Sequence, residues 1–121
     1  MKHDPKVFLD HILESIELIE KYTRNVTVEE FTESVDVQDK VIRRLEIIGE
    51  AVKNLPADIK KQHKDVPWKR IAGMRDKLIH EYFGVDLKLT WQVVEKELSP
   101  LKQRMLEMRD EFEEDTGKAQ A

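Results

Sequence analysis

The chain has 121 residues, 40% of them hydrophobic and 38% charged, with four Gly, four Pro and no cysteine. That length suits one hydrophobic core and not two, and the balance is that of a folded helical domain rather than a disordered segment. The missing cysteines exclude disulfides, thiolate nucleophiles and sulfur-liganded metals, and the net charge of −4 argues against a protein that coats nucleic acid.

No run approaches the roughly 20 apolar residues of a membrane span. The start, Met1 to Pro5, leads into an amphipathic pattern rather than a signal-peptide core. A cytoplasmic protein with no membrane contact is expected, its chemistry resting on His, Arg, Tyr or carboxylates.

A first helix is predicted from about Pro5 or Lys6 to Arg24, with Asp4-Pro5 as the start signal and Val7, Phe8, Ile12, Ile16, Ile19 and Tyr22 on one stripe. After a break near Asn25, Thr27-Val28-Glu29-Glu30 has the form of a capping box, and a short helical turn through Phe31 follows. A second long helix runs from Ser34 or Asp36 to about Leu55, with Val37, Val41, Leu45, Ile48 and Val52 inward and Ile42 beside them. Gly49 within it costs about 1 kcal/mol of helix propensity relative to Ala, which a close helix contact would justify.

Pro56 closes that helix, and Lys60 to Lys64 form a loop or short turn. A further helix begins at Pro67-Trp68, carries Ile71, Met74, Leu78 and Ile79 inward and is expected to end near Phe83-Gly84. From Leu87, a seam of Trp91, Val94, Leu98, Leu101, Met105, Met108 and Phe112 alternates steps of four and three, with Asp86 as cap. Ser99-Pro100 should kink that helix or divide it into two in line, and an acidic tail is expected to fray from about residue 113. No β-alternating run, internal repeat or Gly-rich phosphate loop is present, so residues 1–121 read as one all-α domain, a bundle of four to five helices with no cofactor.

Charge is unevenly spread. Between Lys60 and Lys77 seven basic residues (Lys60, Lys61, Lys64, Lys69, Arg70, Arg75 and Lys77) face only Asp65 and Asp76, about +5 within an acidic chain. This is either a phosphate-binding face or a solvated surface, and Lys69, Arg70 and Lys77 are the candidates for contacting RNA. His3, His11 and His63 have no second ligand at metal spacing, and His80-Glu81 lacks the second His of a zinc-protease motif, since Gly84 stands there. No metal site is expected.

His80 has neighbours of a different kind, in Arg75-Asp76-Lys77-Leu78-Ile79-His80-Glu81-Tyr82. At about 100° per residue, Arg75 and His80 would lie roughly 140° apart on a regular helix. A distorted helix end or a second subunit would be needed to bring them together; otherwise His80 and Tyr82 cap a helix end and Arg75 forms a salt bridge. Converging on RNA, His80 could take the proton of a 2′-OH or protonate a leaving oxygen, and Arg75 could stabilise the phosphorane.

The ordered set Ile47-Ile48-Gly49-Glu50-Ala51, Pro67-Trp68, Met74 to Phe83, and Val85-Asp86 followed by Trp91 resembles the HepT-like toxins (DUF86) of the HEPN superfamily over nearly the whole chain. The resemblance implies a homodimeric HEPN bundle whose Arg-x4-His segments line a shared cleft and act as a metal-independent endoribonuclease, the toxin of a type VII toxin-antitoxin system. It implies Arg75 and His80 as catalytic, Asp76 and Tyr82 as supporting, and a minimal nucleotidyltransferase as antitoxin, which adenylylates Tyr82. One departure stands out: Asp76 occupies a position where the family often has Asn, adding negative charge where a phosphate would approach. A weakly catalytic HEPN module that binds nucleotides or RNA, and a purely structural helical adaptor, are the alternatives.

Overall fold

The computed structural model describes the backbone of residues 4–74, 77, 79–80 and 84–120, and the side chains of 4–74, 77 and 86–114. Three long helices carry the bundle, α1 (Pro5–Thr23), α3 (Val35–Asn54) and, near the end of the chain, α7 (Leu98–Gln120). Between them lie the short helices α2 (Val28–Glu33), α4 (Ala57–Gln62), α5 (Trp68–Ala72) and α6 (Leu87–Gln92). α1 packs against both α3 and α7, and α3 also against α5.

Helix boundaries follow local chemistry. The Asp4 carboxylate accepts from the Lys6 amide at 2.9 Å, and Pro5 sits where no intrahelical N–H is needed. The chain turns at Asn25, whose φ of 62° is the left-handed region that Asn tolerates better than most residues. The Thr27 hydroxyl accepts from the Glu30 amide at 3.1 Å and donates to the Glu30 carboxylate at 3.2 Å, so the two ends of the expected box do meet. Ser34 closes α2 and caps α3, its hydroxyl accepting from the Val37 amide.

The core is a single cluster. Ile12, Ile16 and Ile19 of α1 and Val41, Leu45, Ile48 and Val52 of α3 are buried as their spacing predicts. Val7 is not, at 38% exposure; Leu9 and Leu13 hold the inner positions instead, because the buried stripe follows 9, 12, 13, 16 and 19. Phe31, buried completely, stacks at a tilt on Trp91 with ring centroids 5.0 Å apart, tying α2 to α6. Gly49 marks a close contact: a Cβ there would lie 3.4 Å from the carbonyl oxygens of both Ile71 and Ala72, so α5 rests directly on α3 at a point with room for little more than a methyl group.

Two expectations need correction. The helix beginning at Trp68 does not run unbroken to Gly84: α5 ends at Ala72, capped by Gly73, and helical backbone resumes at Met74 and Lys77. Ile79–His80 then pairs antiparallel with Gly84–Val85, Ile79 opposite Val85 and His80 opposite Gly84. The second correction concerns the seam from Leu87. Val93–Glu97 is π-helical, and Val93 is buried where Val94 was expected, so the inward positions step from Val93 to Leu98 across five residues. Pro100 follows at once, in the first turn of α7. Its ring cannot pack over the carbonyl four residues back in a regular α-helix, and a wider turn just before it removes the clash without breaking the helical path.

Candidate functional site

The stretch that carries the sequence motif is held at both ends. On the incoming side Trp68 is anchored through its indole N–H, which lies 2.9 Å from the His63 carbonyl and 3.2 Å from that of Lys60. Gly49 lets α5 sit close, and Met74 is buried. On the outgoing side the Asp86 carboxylate accepts from the Leu89 amide at 3.0 Å, and the buried Thr90 hydroxyl donates to the Asp86 carbonyl at 2.7 Å. The Phe31–Trp91 contact then fixes α6 to the bundle.

Arg75, Asp76 and Tyr82 lie outside the described residues, and of His80 the backbone alone is described. That backbone is paired with Gly84 and has left the helical path, so the angular separation expected of Arg75 and His80 on a regular helix does not apply.

The basic segment is partly spent on structure. Lys60 donates to the Val52 carbonyl at 2.9 Å and so serves the end of α3. Arg70 pairs with Glu97 of the π turn. Lys69 and Lys77 are exposed and have no ion pair among the described residues. Of the three residues proposed to contact RNA, Arg70 and Lys77 line a groove of about 590 Å³, and Lys69 does not.

One wall of that groove is α5 and Met74, the other α6, the π turn and the first turns of α7. Ile71, Met74, Leu89, Val93, Leu98 and Leu101 make it apolar, and Arg70, Lys77, Lys96 and Arg104 outnumber Asp65 and Glu97 among its charged groups. Arg104 is fixed in place. Its Nε lies 2.8 Å from Asp65 Oδ2, its Nη1 meets the Glu107 carboxylate, and its Nη2 reaches His63 Nδ1 at 3.0 Å. These bonds hold the Asp65 and Glu107 carboxyls below their usual range, hydrogen bonding to Arg104 being the main cause for both.

Lys96, Arg104 and His63 were not among the residues singled out from the sequence. His63, which the sequence marks only as lacking a second metal ligand, has a side chain that is 11% exposed and sits between Arg104 and Glu111. The available signal was a run of charges on either side of Ser99-Pro100, which has no periodicity to distinguish it from a solvated face. Among the described residues no group of His and carboxylates is arranged to hold a metal ion, and no helix is long and apolar enough to cross a membrane.

Comparison with known proteins places these features in context. The sequence model described as "Ribonuclease HepT-like" matches residues 12–108. A protein of Methanocaldococcus jannaschii named "Gamma-glutamylcyclotransferase and putative RNase" is 53% identical over 113 residues, 93% of this chain; the chain spans about half of that relative, 51% of its length. The "Probable ribonuclease HepT" of Thermococcus cleftensis is 48% identical over 109 residues, covering 90% of this chain and 99% of that protein. A "Putative RNase" of Caldanaerobacter subterraneus is 44% identical over 104 residues, 86% of this chain and 93% of its own. No solved structure matches.

Proposed function

The chain belongs to the ribonuclease HepT-like family, and from that premise we propose that it is a metal-independent endoribonuclease acting as the toxin of a type VII toxin-antitoxin pair. The observation that carries the reading is the segment Arg75-x4-His80-x-Tyr82, in a chain nearly half identical to a "Probable ribonuclease HepT" along that protein's whole length.

Each step has a residue suited to it. His80 takes the proton of a ribose 2′-OH, the freed oxygen attacks the adjacent phosphorus, and the bond to the 5′ oxygen breaks, leaving a 2′,3′-cyclic phosphate and, once the leaving oxygen is protonated, a 5′-OH. Arg75 keeps its charge at any working pH and stabilises the phosphorane. Two copies related by a two-fold axis would place two Arg75 and two His80 in one cleft, so that Arg75 of one subunit can serve the phosphate attacked beside His80 of the other. Lys69, Arg70 and Lys77 hold the strand through its phosphates, and Asp76 orients the pair. Tyr82 is the acceptor of a nucleotidyl group from the antitoxin, whose charge and bulk beside His80 would repel RNA.

The test is cleavage of a mixed RNA pool in EDTA by wild type, Arg75→Ala and His80→Ala, with a second arm measuring transfer from ATP to wild type and Tyr82→Phe by the cognate nucleotidyltransferase. Each catalytic variant should lose about 10²-fold or more in rate, and Tyr82→Phe should accept no nucleotidyl group. Wild-type protein that leaves RNA intact but is modified at Tyr82 would favour a binding module. The Asp76 carboxylate and the net charge of −4 speak for that second reading.

A further inference from the structure

We propose that the groove between α5 and the π turn seats one unstacked base of a single-stranded RNA, with the neighbouring phosphates against Lys77 and Lys96. The proposal deepens the ribonuclease reading and rests on it: it names the substrate as unpaired RNA and gives the protein a subsite beside the cut.

Size, chemistry and position agree. About 590 Å³ lies within the several hundred Å³ typical of small-molecule sites. Aliphatic side chains, among them Ile71, Met74 and Leu89, offer apolar contact to the faces of a base, and burial of those faces does not depend on which base it is. Lys77 and Lys96 are exposed and have no ion pair among the described residues, although the chain as a whole is acidic. Burying both ammonium groups beneath an apolar protein surface would be costly, whereas a phosphodiester strand neutralises them. Met74 and Lys77, both groove residues, bracket Arg75 and Asp76 in the sequence, so a base held there belongs to a nucleotide close to the phosphate that is cut. A base can enter only when it is not stacked in a duplex, which makes loops and single strands the substrate.

Methionine methyl groups report on this directly. Met74 lines the groove, whereas Met105 and Met108 are fully buried and serve as internal references. With ¹³C-methyl methionine in the full chain, a single-stranded 2′-O-methyl RNA oligonucleotide, which lacks the attacking hydroxyl, should shift the Met74 signal and leave those of Met105 and Met108 in place. An abasic strand of equal length should bind more weakly and leave Met74 unmoved, and a duplex of the same sequence should also leave it unmoved. Lys96→Glu should raise the Kd of the oligonucleotide about ten-fold at low salt, and Lys21→Glu, the same charge change at an exposed residue outside the groove, should alter it less than about two-fold.

An unmoved Met74, equal binding of the abasic strand, or equal effects of the two lysine variants would overturn the proposal. So would a Met74 signal that shifts with protein concentration in the absence of RNA, which would assign the groove to a second copy. Natural RNA cut normally with Met74 unmoved would remove the subsite and leave the nuclease. Binding that shifts Met74 without cleavage of natural RNA would remove the nuclease and leave the subsite.

Discussion

A guanidinium has no lone pair to offer, so the 3.0 Å approach of Arg104 Nη2 to His63 Nδ1 determines the tautomer of the histidine. Nδ1 must accept, the proton sits on Nε2, and that N–H faces the Glu111 carboxylate 3.3 Å away. His63 and Asp65, in the corner between α4 and α5, are thereby tied to Arg104, Glu107 and Glu111 of α7. The acid response of this network has a definite sign. Asp65 and Glu107 titrate below their ordinary values of 3.8 and 4.5, so the stabilisation they give is complete above those values and is lost as pH falls through the lowered ones. Both carboxylates are exposed, and the contribution is correspondingly modest. Thermal melts between pH 3 and 7 should show Asp65→Asn slightly less stable than wild type at neutral pH and converging on it below about pH 4. A constant difference across the range would mean that the ion pair with Arg104 is not its source. None of this was legible in the sequence, where His63 and Arg104 stand 41 positions apart with no pattern linking them. Arg75, His80 and Tyr82 could be singled out because they fall within one short segment.

At the scale of helices, legibility tracked periodicity. The stripes of α1 and α3, the Thr27 box and the Asp86 cap depend on spacings of three and four, which sequence displays directly. The π turn does not: the steps from Leu87 to Phe112 fit an unbroken seam, and only Pro100 hinted that one turn would be wider. Likewise the short helices on either side of the motif depend on tertiary contacts of Trp68 and Trp91, not on propensity. Gly49 gave a clear signal, and its reason is now specific. Because a Cβ would meet the Ile71 and Ala72 carbonyl oxygens at ordinary contact distance, Gly49→Ala should be close to neutral, about 1 kcal/mol of helix propensity offsetting the tighter approach. Gly49→Leu has to displace α5 and should cost about 1–3 kcal/mol. Urea unfolding of the two variants separates these expectations; equal stability of Leu and Ala would show that α5 yields freely.

For the whole molecule, the acidic net charge concealed a division of labour. Lys60 serves the fold through the Val52 carbonyl and the exposed Arg70 is paired with Glu97, whereas Lys69, Lys77 and Lys96 are exposed with no ion pair among the described residues. The family, the helical class and the motif could be read from the sequence because each is local or ordered along the chain. The proposed meeting of Arg75 with His80 is neither, since it would depend on backbone that has left the helix by Ile79 and, in the proposed cleft, on a second copy. Mixing two inactive proteins tests that cleft. If Arg75 of one subunit works with His80 of the other, an Arg75→Ala/His80→Ala heterodimer contains one site with both residues intact and one with neither. Random exchange of subunits makes half the dimers mixed, so an equal mixture should regain about a quarter of wild-type activity per chain. If both residues of a site come from the same subunit, every site in the mixture lacks one of them and activity stays at the level of the single variants. Recovery should require subunit exchange, so it should appear after co-refolding or prolonged mixing and be absent when each variant is first cross-linked to itself.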